Sequence, residues 1–190
     1  MTFKLEPTAE MLDEKIFWDI VERSLANTVD QDDQESYLVE EISKLSPKEI
    51  VGFRLRTDEL LYKSYTSEMW CASYIMNGGS SDDAFEYFRN WVISRGKDVY
   101  YNARENPDSL ISQVYEEVDL YEFEAFWYVA LEAFQSVTDE DLYDYIDEDN
   151  FHTREGNYPP IEFNWSDDDR ETMQAICPRL YERFEGTLES

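Results

Sequence analysis

The sequence is poor in cysteine, histidine, glycine and proline. Its 190 residues include two cysteines, one histidine, six glycines and six prolines. Two cysteines cannot form the disulfide framework of a small secreted protein, so we expect Cys71 and Cys177 to be buried free thiols. We find no low-complexity linker and no internal repeat. The length suits a single domain spanning residues 1–190.

A long apolar run is also absent. No segment approaches the roughly 18 consecutive apolar residues that a membrane-spanning helix requires. Residues 1–7 (Met-Thr-Phe-Lys-Leu-Glu-Pro) contain no apolar stretch long enough for a secretory signal. Together with the scarcity of cysteine, this predicts a cytoplasmic protein.

Basic residues are few compared with acidic ones. Lysine and arginine total 16, aspartate and glutamate total 44, and the formal net charge is −28 at pH 7. Aromatic residues make up 16% of the chain, whereas disordered acidic proteins are poor in them, so we expect a folded core. Such a charge repels phosphates, which argues against direct nucleic-acid binding and against association with anionic membranes.

Apolar residues recur at helical spacing, and alternating strand-like runs are scarce. Ser46, Pro47 and Glu49 form a capping-box pattern that predicts a helix from Pro47 to about Tyr65. The same kinds of signal predict further helices over 67–76, from 80 or 81 to 93, around 100–105, over 119–134, from 138, and after 166–169 with a break at Pro178. The predicted fold class is all-α, an irregular single-domain helical bundle of about six to eight helices.

Negative charge is concentrated in one part of the chain. Residues 105–153 contain 15 acidic residues and no basic residue, and seven carboxylates fall within residues 139–149. We call residues 139–149 the acidic segment. A docking surface for a basic protein needs carboxylates for steering and aromatic anchors for affinity, and this segment carries both. The predicted partner-binding residues are Glu140, Asp141, Tyr143, Asp144, Tyr145, Asp147 and Asp149.

The concentration of charge also fits two roles that need no partner. An acidic face keeps a protein soluble by itself, and a halophilic source would make acidity general. The uneven distribution of charge argues against a halophilic origin, while the solubility role stays open. We favour a non-enzymatic interaction protein, such as an inhibitor or immunity-type protein that covers a basic cleft.

A glycine-containing turn followed by a helix start provides an alternative site. Its residues are Gly78, Gly79, Ser81, Asp82, Asp83, Glu86 and Arg89. Turn glycines let backbone N–H groups approach a ligand, and the carboxylates suit a divalent cation, with hydrolysis as a further option. Helix capping by serine and aspartate accounts for the same residues without any ligand. The turn matches neither a nucleotide-binding loop nor a dinucleotide fingerprint, so no cofactor is predicted.

Nucleophilic and zinc-dependent catalysis have little support. The single histidine, His152, lies among acidic residues, and no Cys-x-x-Cys or His-Glu-x-x-His spacing is present. With 44 acidic residues, close carboxylate pairs are inevitable and carry no information about glycosidase chemistry. The sequence therefore leans towards a protein that is not an enzyme.

Several strings resemble a bacterial family. They are Phe17-Trp18, residues 70–74 (Trp-Cys-Ala-Ser-Tyr), residues 77–91 with the pattern Gly-Gly-x-Ser-Asp-Asp-x-Phe-x-x-Phe-Arg-x-Trp, Gly96, residues 106–110 and residues 124–134. Over residues 11–135 the chain resembles the domain of unknown function 4240 family. The resemblance implies a bacterial, cytoplasmic setting and no particular activity. It divides the chain into a family-like core (11–135) and a remainder (136–190) with an acidic helix, a long loop and a C-terminal helix.

Overall fold

The chain folds into helices. The computed structural model describes residues 5–116 and 118–188. Within them lie nine α-helices: α1 (Glu14–Asn27), α2 (Gln31–Ile42), α3 (Pro47–Lys63), α4 (Ser67–Asn77), α5 (Asp82–Ser94), α6 (Lys97–Glu105), α7 (Val129–Thr138), α8 (Arg170–Ile176) and α9 (Pro178–Leu188). Three 3-10 helices span Pro107–Gln113, Glu124–Trp127 and Leu142–Tyr145. The described residues form isolated β-bridges but no strand, so the all-α prediction is confirmed, with one α-helix more than the predicted range.

Local sequence accounts for many helix ends. Ser46 and Glu49 exchange the two hydrogen bonds of a capping box, and α3 begins at Pro47 as predicted. Gly78 adopts φ 67°, a left-handed conformation that costs glycine little, and ends α4. Ser81 caps α5. Pro178, which has no backbone N–H to donate, separates α8 from α9.

The predicted helix over residues 119–134 is wrong in its first half. Residues 119–123 are not helical, Glu124–Trp127 is a 3-10 helix, and only from Val129 onwards is the chain α-helical. The Tyr121 N–H donates to Oδ1 of Asn77 at 2.8 Å, and the Phe123 N–H donates to the Tyr87 carbonyl oxygen at 2.9 Å. These bonds tie the segment to α4 and α5, so its N–H groups are not available for a helix of its own.

The core is continuous from α1 to α9, with α3 near its centre. The helix α7 packs against α2 and α3, and α9 packs against α4 and α8. Cys71 and Cys177 are buried free thiols, and the pKa of Cys177 is raised by the neighbouring Cys71 and by burial. A thiolate is disfavoured there. No helix in the described residues is long and apolar enough to cross a bilayer.

Candidate acidic docking site

The acidic segment follows α7 directly. Asp139 adopts φ 61° and its N–H donates to the Gln135 carbonyl oxygen at 2.9 Å, which ends α7. The Asp141 carboxylate accepts the Tyr143 N–H at 2.9 Å and caps the 3-10 helix Leu142–Tyr145. The short helix predicted from Thr138 is therefore present as this 3-10 helix, which begins four residues later.

Apolar packing and backbone pairing hold the segment in place. Leu142 is buried, and the Tyr145 ring lies 5.4 Å from the Phe134 ring between centroids. The Thr8 N–H donates to the Tyr145 carbonyl oxygen at 2.9 Å, and the Asp147 N–H donates to the Thr8 carbonyl oxygen at 3.0 Å. Contacts with residues distant in the sequence therefore hold the backbone of the acidic segment in place.

The structure divides the seven predicted partner-binding residues into two groups. Exposed residues are Glu140, Asp141, Tyr143, Asp144 and Asp149. Tyr145 is half-buried against Phe134, and half-buried Asp147 accepts a hydrogen bond from the Asn150 amide at 2.7 Å. The second group positions the segment, and the first group forms its surface.

A cavity of about 480 Å³ lies between α7 and the acidic segment. We call it the acidic groove. Its lining consists of Leu131, Glu132, Gln135, Ser136, Glu140, Asp141, Leu142 and Tyr143. This lining combines three carboxylates with apolar side chains and contains no cation. The α7 side of the groove was not predicted from the sequence. Residues 131, 132, 135 and 136 share one helical face, and that spacing is the signal that could have identified it.

Carboxylates on α2 extend the negative field of the groove. Burial raises the pKa of Glu35, and the nearby charges of Glu132 and Asp32 raise it further. The ionised carboxylates on this side of the molecule therefore repel one another. A cation placed among them would relieve that repulsion.

Tyr143 has a rigid support beneath it. Its side chain is 45% exposed, and its ring centroid lies 6.0 Å from the guanidinium carbon of Arg54. That carbon lies 3.4 Å from the Trp127 ring centroid, and Arg54 Nη1 donates to the Trp127 carbonyl oxygen at 2.9 Å. Arg54 also pairs with buried Asp58 at 2.8 Å. Its charge is thus compensated internally, while the ring it supports faces outward.

The alternative turn site is arranged as a helix start. Gly78 and Gly79 have positive φ angles of 67° and 140°. The Ser81 hydroxyl accepts the Ala84 N–H at 3.2 Å, and Asp82 and Asp83 are exposed in the first turn of α5. No group of three or more His, Cys, Asp or Glu side chains in the described residues could hold a metal ion. Ligand binding by this turn stays a prediction.

The last two residues predicted for that site lie further along α5. Burial raises the pKa of Glu86, and the charge of Glu155 contributes in the same direction. Arg89 is buried, and its Nη1 donates to the Leu61 carbonyl oxygen at 2.7 Å. Its guanidinium carbon lies 4.6–5.1 Å from three aromatic ring centroids, those of Phe85, Tyr158 and Tyr65. Arg89 therefore joins α5 to α3 within the core, whereas Asp82 and Asp83 remain at the surface.

Comparison with known proteins gives one family. No curated protein and no solved structure matches the chain. The model of a family described as "Protein of unknown function (DUF4240)" matches residues 12–136. The matched part runs from just before α1 nearly to the end of α7, so the acidic segment lies beyond it and the groove joins the two parts. The match covers well over half of the sequence, and the chain belongs to this family of unknown function.

Proposed function

We propose that the protein is a non-enzymatic interaction protein that binds a basic protein partner through the acidic groove. The observation that carries the proposal is a 480 Å³ groove that combines three carboxylates with apolar walls beside exposed Tyr143. The most concrete form is a cytoplasmic inhibitor or immunity-type protein that covers a basic cleft.

The chemistry of the groove favours an arginine-rich or lysine-rich surface. Glu132, Glu140 and Asp141 would accept charge-assisted hydrogen bonds, which are strongest and most directional with arginine. Tyr143 offers an aromatic face for a guanidinium group or an apolar side chain. The net charge of −28 would accelerate encounter with a basic partner, while the apolar walls would slow its release.

The first test uses the variant Glu132→Gln/Glu140→Gln/Asp141→Asn, which removes the three carboxylates that line the groove. Asparagine retains the acceptor that the Asp141 side chain offers to the Tyr143 N–H, so the fold is preserved while three charges are lost. Immobilised protein captures basic partners from the lysate of the source organism, with elution in steps of rising salt. A retained partner is then purified and its affinity measured by calorimetry. We expect the variant to bind at least about tenfold more weakly, with a flatter salt dependence.

A charge-matched control separates a specific groove from general acidity. The variant Glu171→Gln/Glu182→Gln/Glu185→Gln removes three exposed carboxylates from α8 and α9. We expect it to bind as the wild type does. If the two triple variants lose affinity equally, or if neither loses any, the docking proposal is wrong.

A pair of tyrosine variants tests whether Tyr143 anchors the partner in the groove. Tyr143 lines the groove, while Tyr128, which is 43% exposed, is not among its lining residues. Tyr143→Ala should speed dissociation of the captured partner, because an aromatic contact near the centre of an interface carries much of its affinity. Tyr128→Ala should leave the dissociation rate unchanged. Equal dissociation rates for the two variants would show that charge alone holds the partner.

A further inference from the structure

A second cavity lies on another part of the surface. Its walls come from the start of α2, the end of α5 and the side chains of Gln113, Tyr115, Val118 and Tyr121. Its volume is about 590 Å³, within the range of small-molecule sites. We call it the Arg95 cavity. Trp91, Tyr115 and Val118 supply apolar walls, and Gln31, Gln34 and Arg95 supply polar groups. None of these residues belongs to the acidic groove.

Among the described residues, Arg95 has hydrogen-bond partners but no carboxylate partner. Its Nε donates to the Ser94 hydroxyl at 3.2 Å, and its Nη2 donates to Oε1 of Gln34. Within the described residues no carboxylate forms an ion pair with it, although the chain contains 44 acidic residues. Burial lowers the pKa of Arg95, and the nearby Tyr115 side chain acts in the opposite direction. A half-buried cation without a counter-ion is costly unless something else supplies the negative charge.

The other interior arginines are compensated within the protein. Arg54 pairs with Asp58, and Arg89 is held by carbonyl oxygens and aromatic rings. Arg54 also lines a cavity, but Arg95 differs from it because no described carboxylate forms an ion pair with Arg95. Asp30, the one carboxylate among the described lining residues, accepts the Asp33 N–H at 2.9 Å as the cap of α2.

Three apolar side chains of this cavity are exposed, whereas Trp91 and Tyr121 are buried. Val29 is 90% exposed, Tyr115 60% and Val118 38%. Burying them under a ligand would remove apolar surface from water, which favours binding. Because the cavity has a single cation and the whole molecule is strongly negative, it suits a monoanion and repels a polyanion such as a nucleotide.

We propose that the Arg95 cavity binds a small aromatic carboxylate. The carboxylate group lies on the guanidinium of Arg95, and the ring lies against Trp91, Tyr115 and Val118. The Gln31 amide offers a donor and an acceptor to further polar groups of the ligand. The protein would then carry a small-molecule site that is separate from its partner surface.

The test compares matched acid and amide probes on the full chain by calorimetry. The acids are indole-3-acetate and phenylacetate, and the neutral probes are indole-3-acetamide and phenylacetamide. We expect an acid to bind at least about tenfold more tightly than its amide, because a charge-assisted hydrogen bond is stronger than a neutral one. Arg95→Gln should remove that preference. Arg104→Gln, which deletes an exposed cation on α6, should preserve it.

A second variant guards against a folding defect in Arg95→Gln. Gln31→Glu keeps Arg95 and places a carboxylate in the cavity lining, at the first position of α2, where negative charge stabilises a helix. It should weaken binding of the acids and leave binding of the amides unchanged. The proposal is overturned if neither acid binds below about 5 mM, if acid and amide bind equally, or if Arg95→Gln binds the acids as the wild type does.

Discussion

Arginine serves three purposes in this acidic protein, and the difference lies in what surrounds each guanidinium group. Arg54 pairs with Asp58 and supports Tyr143 at the acidic groove. Arg89 forms no ion pair with a described carboxylate and is held by carbonyl oxygens and rings. Arg95 faces an open cavity. The same residue type is therefore a support, a cross-link between helices and a candidate ligand contact.

Replacing Arg89 by lysine should destabilise the fold. Lysine keeps the charge but loses the planar group that lies near Tyr65, Phe85 and Tyr158 while donating to the Leu61 carbonyl oxygen. We expect a loss of about 2–4 kcal/mol in the free energy of unfolding, measured by urea denaturation.

The control for this substitution is Arg104→Lys at an exposed position of α6, which should change the free energy by less than about 0.5 kcal/mol. An unchanged urea midpoint for Arg89→Lys would show that the planar group contributes nothing.

Among the helices, α3 is distinguished by how closely another segment approaches it. The Leu12 N–H donates to the Gly52 carbonyl oxygen at 2.9 Å, and Arg56 Nη2 donates to the Leu12 carbonyl oxygen at 2.8 Å. A Cβ atom on Gly52 would lie 2.7 Å from the Leu12 backbone nitrogen. Contact between the two backbones is therefore the reason for a glycine in this helix.

Gly52→Ala should lower stability although alanine is the better helix former. Moving the two backbones apart to make room for the Cβ atom should lower the free energy of unfolding by about 1–3 kcal/mol. The better helix propensity of alanine returns only about 1 kcal/mol. Gly186→Ala on α9, where a Cβ meets nothing within 4 Å, should instead raise stability by about 0.5–1 kcal/mol. Thermal unfolding measures both, and a higher midpoint for Gly52→Ala would contradict the structure.

At the scale of the whole molecule, the carboxylates whose pKa is shifted fall into two groups. Burial raises the pKa values of Glu35, Glu86 and Glu122, with further contributions from neighbouring carboxylates. A hydrogen bond from Tyr101 lowers the pKa of Glu14, and hydrogen bonds from Ser46 lower that of Glu49. The two groups have opposite effects on how stability depends on pH.

Stability should rise as the pH falls from 7 to about 5 and decrease below about 4.5. Groups with a raised pKa bind protons in the folded protein before they do in the unfolded chain, so stability is gained above the ordinary value of 4.5. Groups with a lowered pKa are protonated first in the unfolded chain, so stability is lost below that value. Thermal midpoints measured from pH 8 to 4 check this.

Repeating the pH series in 0.5 M NaCl separates two causes. Salt screens the general repulsion of a −28 protein and leaves the effect of burial. The rise of the thermal midpoint as the pH falls towards 5 should therefore be smaller in 0.5 M NaCl, but it should persist. A midpoint that falls steadily from pH 7 to 5 would contradict the prediction.

Much of the helix pattern could be read from neighbouring residues. Capping at Ser46 and Ser81 and the stop at Gly78 depend on groups only three or four residues away, so spacing alone predicts them. The helix predicted over residues 119–134 is wrong in its first half because backbone N–H groups there bond to Asn77 and Tyr87. Both partners lie more than thirty residues away in the sequence. A pattern read over a short stretch of sequence cannot include hydrogen-bond partners that lie so far away.

The sequence by itself determined the all-α fold, many of the helix ends and the concentration of negative charge in the acidic segment, because composition and short-range spacing dictate them. Only the tertiary structure decided which face of α7 completes the acidic groove and that Arg89 is buried away from the turn where Asp82 and Asp83 lie. It also decided that Arg95 lines a cavity without an ion pair to any described carboxylate. Those features depend on which distant residues meet, and that is decided by packing of the whole chain.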